Sequence, residues 1–266
     1  MIGAVALAAN GALRSGAGLV TFAAPQTVQL TIAALCPCAT SVPLPCGSDG
    51  GLSAEAVRCA AAAAGNADVL AIGPGMGVGA VQKELLCWAI DGSKPLVVDA
   101  DGLNNLSALL GWEQVRKCPL VLTPHPGEFS RLTGRSVRDI QADRQKAAVE
   151  AVRKWVGPPQ EGEAPIICVL KGAGTVVTDG SKLYVNRTGN PGMASGGTGD
   201  VLTGMIAAFI AQGLEPLAAA CLGAYVHGRA GDLAAAKLGQ ISMTAADLVE
   251  ALPEAMKEAH ETSRGH

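Results

Sequence analysis

The sequence is poor in aromatic residues, which make up 3% of its 266 positions. A core must therefore be built from Ala, Val, Leu and Ile, because hydrophobic residues still account for 49% of the chain. With 34 glycines to allow close approach, this composition favours stacked layers of helices and sheet. A chain of this length can bury about three quarters of the surface that its unfolded state exposes.

The sequence also lacks any run of basic residues, and its net charge is −3. Both features argue against a nucleic acid or an anionic membrane as partner and favour small-molecule substrates. The longest apolar runs, residues 201–210 and 217–226, are too short to span a bilayer. The first residues do not read as a secretory signal, so we expect the protein in the cytoplasm.

Cysteines with the spacing of metal ligands are missing as well. The eight cysteines are scattered, and several lie in apolar runs, where Cys behaves as a small hydrophobe. Cys36, Cys38 and Cys46 form the one cluster, but their spacing is not that of a zinc knuckle and no His lies nearby. We therefore expect buried free thiols.

Short apolar runs alternate with longer helical patterns, which is typical of a layered α/β protein with a mostly parallel sheet. The predicted strands are residues 19–23, 69–72, 96–98, 120–122 and 166–170. The predicted helices are residues 4–14, 54–64, 81–88, 137–155, 201–212, 216–238 and 245–260. Residues 174–186 predict a β-hairpin turning at Asp179 and Gly180. Because residues 157–164 read as a solvated loop rather than a linker, we expect a single domain over residues 1–266.

The loop from Asn190 to Asp200, NPGMASGGTGD, is the most informative segment. Its glycines leave backbone N–H groups free to surround a phosphate at a helix start, where the helix dipole adds attraction. Asp200 would face that phosphate and could accept the proton of an attacking hydroxyl. The same helix start is expected to keep its carboxylate ionised near neutral pH. The alternative is a Gly-rich turn whose Asp caps the helix.

Three further loops follow predicted strands, where open α/β sheets place their ligand sites. Residues 73–79, GPGMGVG, either let a ligand approach the backbone or form a tight turn. Asp99 and Asp101 could bind hydrated magnesium or a substrate hydroxyl, or could cap a helix. His125 lies between two prolines on a non-helical strand end, in a ligand-binding or a structural role.

Two other residues stand out beside these loops. Lys171 follows the strand over 166–170 and precedes a Gly-rich turn, where a cation can neutralise nucleotide phosphates. The alternative is a surface Lys at the entry of a hairpin. His227 lies inside a helical apolar run and reads as a core or helix-surface residue.

Together these segments resemble the ADP-dependent NAD(P)H-hydrate dehydratase family, which belongs to the ribokinase-like superfamily of small-molecule kinases. The matching pieces run in family order: RSGAGLVT (14–21), IGPGMG (72–77), VVDADGLN (97–104), LTPHPGEFSRLTG (122–134), LKGAGTVV (170–177) and NPGMASGGTGDVLTGMIAAFIAQG (190–213). A generic kinase of this superfamily would share only GTGD and a looser acidic motif. The resemblance implies a three-layer α/β/α fold with a mostly parallel central sheet.

The resemblance also implies a repair reaction on hydrated NADH or NADPH (NADHX or NADPHX), which carries a hydroxyl on the nicotinamide ring. A phosphoryl group passes from ADP to that hydroxyl, and loss of phosphate restores the reduced dinucleotide and leaves AMP. Asp200 would be the catalytic base, and the dinucleotide would contact Ala4, Gly77, His125 and Asp200. The adenine nucleotide would contact Lys171, Gly172, Ala173, Gly174, Thr175 and Gly199. The amides of Gly196, Gly197, Thr198 and Gly199 would form an anion hole. Mg²⁺ would bridge the phosphates, with Glu128 as an indirect ligand. A homo-oligomer, a tetramer by resemblance, is expected.

The sequence departs from the family pattern before Gly3, where members carry another strand and its glycine-containing loop. We therefore expect the first strand to be missing, with an exposed edge or gap in the sheet and a weakened site near Ala4. The chain would then be truncated at its N-terminus relative to the family, or would be the remainder of a fusion to an epimerase domain. Two other functions stay open: a ribokinase-like kinase of a hydroxymethylpyrimidine or thiazole alcohol, and an inactive nucleotide-binding remnant.

Overall fold

The computed structural model describes residues 2–157 and 164–264, with side chains as far as residue 261. Most of the loop predicted over residues 157–164 therefore lies outside the described residues. The strands in these ranges are β1 (Thr21–Pro25), β2 (Thr40–Leu44), β3 (Leu70–Ile72), β4 (Leu96–Val98), β5 (Leu120–Leu122), β6 (Ile166–Leu170), β7 (Val176–Thr178) and β8 (Leu183–Val185). The helices are α1 (Ile2–Arg14), α2 (Gln29–Leu35), α3 (Glu55–Ala63), α4 (Ala80–Asp91), α5 (Ala100–Ser107), α6 (Trp112–Val115), α7 (Pro126–Thr133), α8 (Val137–Ala142), α9 (Arg144–Val156), α10 (Thr198–Ala211), α11 (Pro216–Leu238) and α12 (Ala245–Arg264).

Strands β3 to β8 form one six-stranded sheet in chain order. The first four strands are parallel, and β7 and β8 add an antiparallel hairpin, so the predicted mostly parallel sheet is confirmed. Strands β1 and β2 form a separate parallel pair. The resemblance predicted an exposed edge or a gap. Among the described strands, β3 is an edge of the six-stranded sheet, and its Ala71 is exposed.

Helices cover both faces of the sheet, because successive side chains of a strand point to opposite sides. Every residue of β4, β5 and β6 is buried, as expected for parallel strands between two helical layers. On one face Val98, Leu122 and Leu170 pack into a cluster with α4, α5 and α9. On the other face Val97, Val121 and Ile167 pack against α10, α11 and α12. This arrangement is the predicted three-layer α/β/α fold.

Helices α1 and α10 lie close together, because Gly11 and Gly204 have no side chains where the two backbones meet. A Cβ on Gly204 of α10 would overlap the backbone carbonyl of Ala8 in α1. A Cβ on Gly11 of α1 would lie 2.6 Å from the carbonyl oxygen of Val201. The close approach fixes the N-terminal half of α10, which carries Asp200.

Several sequence-based predictions need correction. The single helix predicted over 137–155 is wrong: the chain breaks at Asp143, whose carboxylate accepts from the backbone N–H of Lys146 (2.9 Å) and caps α9. The strand predicted at 19–23 lies two residues later, at β1. Strand β2 and helices α2, α5, α6 and α7 were not predicted. The predicted hairpin is confirmed as β7 and β8. The cysteines are free thiols, as predicted, but Cys38 and Cys87 are exposed rather than buried. No helix in the described ranges is long and apolar enough to cross a bilayer.

Candidate active site

The loops that follow the parallel strands meet at one edge of the sheet, as their positions in the sequence predicted. The backbone N–H of Asp99 donates to the carbonyl of Ile72 at the end of β3 (3.1 Å). The loops after β5 and β6 are joined in the same way. The backbone N–H of Lys171, after β6, donates to the carbonyl of Pro124, after β5 (2.8 Å). The carboxyl ends of β3, β4, β5 and β6 therefore form one continuous site rim.

Asp99 is the centre of this rim, in a role that neither sequence-based alternative described. Its carboxylate is 1% exposed and pairs with the ammonium of Lys171 (2.5 Å). Its other oxygen accepts from the hydroxyl of Thr203 on α10 (2.8 Å). Although Asp99 precedes α5, its side chain makes no capping hydrogen bond. The side chain instead ties Lys171 to the helix that carries Asp200.

The glycine loop ends in a left-handed residue that starts α10. Gly197 is the N-cap, with φ +99°, a conformation that L side chains rarely adopt. The hydroxyl of Thr198 donates back to the carbonyls of Met193 (2.9 Å) and Ser195 (3.1 Å), which fixes the loop. The N–H groups at the start of the helix have no intrahelical partners and are available to an anion. The start of α10 therefore offers backbone donors to an anion at the place where a phosphate was predicted to bind.

Lys171 lies beside this helix start rather than on an open surface. Its side chain is 19% exposed, and a Cβ on Gly199 would lie 3.1 Å from its ammonium nitrogen. Because the ammonium is next to the N–H groups of α10, a bound phosphate would meet a full positive charge as well as backbone donors. The predicted grouping of Lys171 with Gly199 is thus geometrically consistent.

Asp200 is 8% exposed in the first turn of α10. Burial, together with the negative charge of Asp99, raises its pKa to about 6, although Lys171 acts in the opposite direction. The carboxylate is still ionised above pH 6, so it can act as a base at neutral pH.

His125 and Glu128 engage each other at the start of α7, where His125 itself keeps the extended backbone that was predicted for it. His125 is the N-cap of α7, and its Nδ1 accepts from the N–H groups of Gly127 (3.0 Å) and Glu128 (3.2 Å). Glu128 accepts in return from the backbone N–H of His125 (2.8 Å), which completes a capping box. Nε2 of the imidazole lies 3.3 Å from Oε1 of Glu128, but the ring is about half exposed, so its exposed part can still meet a ligand.

The glycine loop after β3 is tied to α5. The N–H of Gly77 donates to Asp101 (2.9 Å), and its carbonyl accepts from Asn105 (2.9 Å). Gly73 has φ +129° and passes so close to the backbone of Asp99 that no Cβ would fit there. The loop is therefore fixed, with Gly77 half-buried at the rim. Ala4, by contrast, is 2% exposed within α1 and has little surface for a ligand.

The turn after β6 borders a cavity of about 340 Å³. Ala173 and Gly174 line it from one side, and the junction of α8 and α9 lines it from the other. Arg144, which the sequence analysis did not single out, donates to the carbonyls of Leu170 (2.9 Å) and Lys171 (3.1 Å) and holds this turn in place. The cavity therefore lies beside residues that were predicted to contact the adenine nucleotide.

The carboxylates of the site are dispersed, and the described residues contain no cluster of three His, Cys, Asp or Glu that could enclose a metal ion. Mg²⁺ commonly keeps several waters and binds through substrate phosphates and one or two carboxylates. Glu128 fits such an indirect role, because the imidazole of His125, at 3.3 Å, leaves lone pairs of its carboxylate for a metal-bound water.

The fold and the site define a ribokinase-like protein. A ribokinase-like superfamily protein of Enterococcus faecalis V583 superposes with a TM-score of 0.75 and 28% identity, over 96% of this chain and 82% of that one. The sequence pattern of the family described as NAD(P)H-hydrate dehydratase matches residues 1–254. The chain belongs to this NAD(P)H-hydrate dehydratase family.

Two relatives show the extent of the similarity. The bifunctional NAD(P)H-hydrate repair enzyme Nnr of Moorella thermoacetica is 43% identical over 264 residues, which is 98% of this chain and 48% of that protein. The ADP/ATP-dependent NAD(P)H-hydrate dehydratase of Bacillus subtilis, co-crystallised with ATP/Mg²⁺ and soaked with CoA, has a TM-score of 0.79 and 29% identity, over 97% of this chain and 87% of that one. The chain thus spans about half the length of the bifunctional relative.

Proposed function

We propose that this chain dehydrates hydrated NADH or NADPH with ADP as the phosphoryl donor. The observation that carries the proposal is the placement of the buried carboxylate of Asp200 in the first turn of α10, with Lys171 beside Gly199. This places a base and an anion site on adjacent residues, as transfer of a phosphoryl group to a hydroxyl requires. Membership of the NAD(P)H-hydrate dehydratase family supplies the substrate class.

In the proposed reaction, Asp200 accepts the proton of the ring hydroxyl while the hydroxyl oxygen attacks the β-phosphorus of ADP. The bond between that phosphorus and the bridging oxygen breaks, and AMP leaves. Elimination of the new phosphate ester, with loss of a proton from the neighbouring ring carbon, restores the double bond. The amides of Gly196, Gly197, Thr198 and Gly199 hold the transferred group.

Lys171 and the turn from Gly172 to Thr175 hold the rest of the nucleotide. The cavity beside Ala173 and Gly174 has room for the adenosine part, and Arg144 supports its wall. Mg²⁺, held by the phosphates and through water by Glu128, supplies positive charge that offsets the phosphate oxygens. The exposed part of the His125 ring and the loop at Gly77 form the dinucleotide side of the rim. Ala4 adds at most a backbone contact.

The single-domain organisation, the tetramer, the cytoplasmic location and a fused or separate epimerase remain predictions. The size of the bifunctional relative supports the last, because its other half is long enough for a second domain.

The proposal is tested by mixing the purified chain with hydrated NADH, Mg²⁺ and either ADP or ATP, and following the recovery of NADH absorbance. Recovery with ADP and formation of AMP would support the dehydratase. A stable phosphorylated product from a hydroxymethylpyrimidine or thiazole alcohol, with ATP alone, would favour the kinase. ADP binding without any turnover would favour an inactive nucleotide-binding protein.

The pH dependence of the reaction is expected to follow Asp200. With a pKa raised to about 6, the base loses its proton as the pH rises through 6, so kcat/KM increases there and is level above pH 7. Asp99→Asn removes the neighbouring negative charge, so the rise of kcat/KM should shift to lower pH. The matched control is Asp91→Asn, which also breaks a Lys pair, that with Lys117 (2.7 Å), but on the surface. If kcat/KM of Asp99→Asn rose at the same pH as in the wild type, the charge of Asp99 would not influence the pKa of Asp200.

His125 is expected to act on the dinucleotide side. His125→Ala removes the ring and raises KM for the hydrated dinucleotide about tenfold, with a smaller change in KM for ADP. Because the substitution also removes the helix cap, a loss of about 1 kcal/mol in stability accompanies it. His125→Asn retains a capping side chain and separates the two effects. A larger change in KM for ADP would place His125 on the nucleotide side.

A further inference from the structure

We propose that His227 is a positioning residue for phosphate recognition, because its imidazole holds the peptide unit that contains the Gly199 N–H. From the sequence, this residue was expected to be a core or helix-surface residue. The proposal rests on the proposed function in one respect: the anion at the start of α10 is a phosphoryl group of the nucleotide. No contact between His227 and the ligand itself is required.

The contact is between Nε2 of His227 on α11 and the carbonyl oxygen of Thr198, at 2.8 Å. A carbonyl oxygen can only accept, so the hydrogen must be on Nε2. Burial lowers the pKa of His227 to about 4, so the imidazole is neutral throughout the working pH range. A neutral ring with its hydrogen on Nε2 is a permanent donor to this one oxygen.

That oxygen belongs to the same peptide unit as the N–H of Gly199. A trans peptide is planar, and its C=O and N–H point in opposite directions. Fixing the carbonyl of Thr198 toward α11 therefore directs the Gly199 N–H away from α11. The ammonium of Lys171 is close to the same residue, 3.1 Å from where a Cβ on Gly199 would lie, so a phosphate bound here would meet both groups. A hydrogen bond to the carbonyl also polarises the N–H, which strengthens it as a donor by about 10–30%.

The position of His227 is itself fixed by its neighbours on α11. Gly228 packs so closely on Thr188 that no Cβ would fit between them. The hydroxyl of Thr188 donates to the carbonyl of Tyr225 (2.8 Å), and Asp232 accepts from the N–H of Gly189 (2.9 Å). Helix α11 therefore holds the residues on either side of the glycine loop's centre: residues 188 and 189 just before the loop and, through His227, Thr198 near its end.

The test compares His227→Leu with His227→Gln. The Gln side chain can bring an amide N–H to the Thr198 carbonyl, whereas Leu fills the space without a donor. We expect Leu to lower kcat at least tenfold and to weaken ADP binding, measured by calorimetry, about threefold, and we expect Gln to restore both to within about threefold of the wild type. Melting temperatures are recorded, and all assays run where every variant is folded. His260→Leu on α12 is the control for loss of a histidine elsewhere.

If His227 had a purely structural role, both substitutions would lower the melting temperature, and kcat of His227→Gln would not exceed that of His227→Leu. The proposal is overturned if folded His227→Leu retains kcat within twofold of the wild type, or if Gln is as impaired as Leu. Absence of turnover in the wild type would instead contradict the proposed function. In that case the ranking of ADP affinities still decides: weaker binding by Leu alone supports the positioning role, and equal binding by all three proteins overturns it.

Discussion

Asp200→Asn is expected to lower kcat by at least about 10³-fold while ADP binds with nearly unchanged affinity. The amide has the size of the carboxylate but cannot accept the proton of the ring hydroxyl, so the loss falls on the chemical step. Single-turnover recovery of NADH absorbance measures that step, and calorimetry measures ADP binding. Turnover close to that of the wild type would remove Asp200 from the mechanism.

The same substitution is expected to stabilise the fold. The pKa of Asp200 is raised to about 6 in the folded protein, so ionising it opposes folding once the pH exceeds its unfolded value of about 3.9. This loss of stability reaches its full size above pH 6, the pKa in the folded protein, and vanishes below pH 4, the value in the unfolded chain. At pH 8, Asp200→Asn should therefore raise the free energy of unfolding by up to about 3 kcal/mol and Tm by several degrees.

A matched carboxylate should show the opposite sign. Asp247 lies in the first turn of α12, but the hydrogen bonds that it accepts from the hydroxyl and N–H of Thr244 lower its pKa. Its ionised form stabilises the fold, and that contribution is lost as the pH falls through the lowered pKa. Asp247→Asn should therefore reduce Tm at pH 8. Equal shifts of both variants would show that the raised pKa of Asp200 has no energetic consequence.

The sequence predicted the elements whose signal is local. Strands β4, β5 and β6 are continuous apolar runs, and the glycine loop before Asp200 is recognisable from its residues alone. Their convergence also follows from a general rule, since the carboxyl ends of parallel strands share one edge of a sheet. The break at Asp143 was missed because the apolar pattern continues across it, and only the capping geometry shows where α8 ends.

The site was predictable as a set of loops but not as a network. Asp99 and Lys171 are 72 positions apart, and Asp99 and Thr203 are 104 apart, so no spacing in the sequence indicates that they pair. The raised pKa of Asp200 depends on its burial and on the nearby charge of Asp99, neither of which follows from spacing in the sequence. The contact of His227 with Thr198 likewise requires the packing of α11 on α10. Such contacts depend on tertiary structure, which periodicity does not encode.

Gly204→Ala is expected to destabilise the protein by at least about 3 kcal/mol. Replacing an exposed Gly in a helix interior by Ala would usually stabilise a protein by about 1 kcal/mol. Here the added Cβ would overlap the carbonyl of Ala8 and lie 2.9 Å from the backbone N of Ala12, and backbone atoms of a packed helix cannot turn aside as a side chain can. Helix α1 must separate from α10, so Tm should fall by about 10 °C, as measured by thermal denaturation.

Two further variants make this a graded series. Gly3→Ala adds a methyl on α1 with nothing within 4 Å and should be neutral or slightly stabilising. Gly11→Ala places its Cβ 2.6 Å from the Val201 carbonyl oxygen and should fall between the two. The expected order of Tm is Gly3→Ala, then Gly11→Ala, then Gly204→Ala. Because α10 carries Asp200 one turn before Gly204, kcat should fall in the same order. A Gly204→Ala protein as stable and active as Gly3→Ala would show that the spacing of α1 and α10 does not position the catalytic helix.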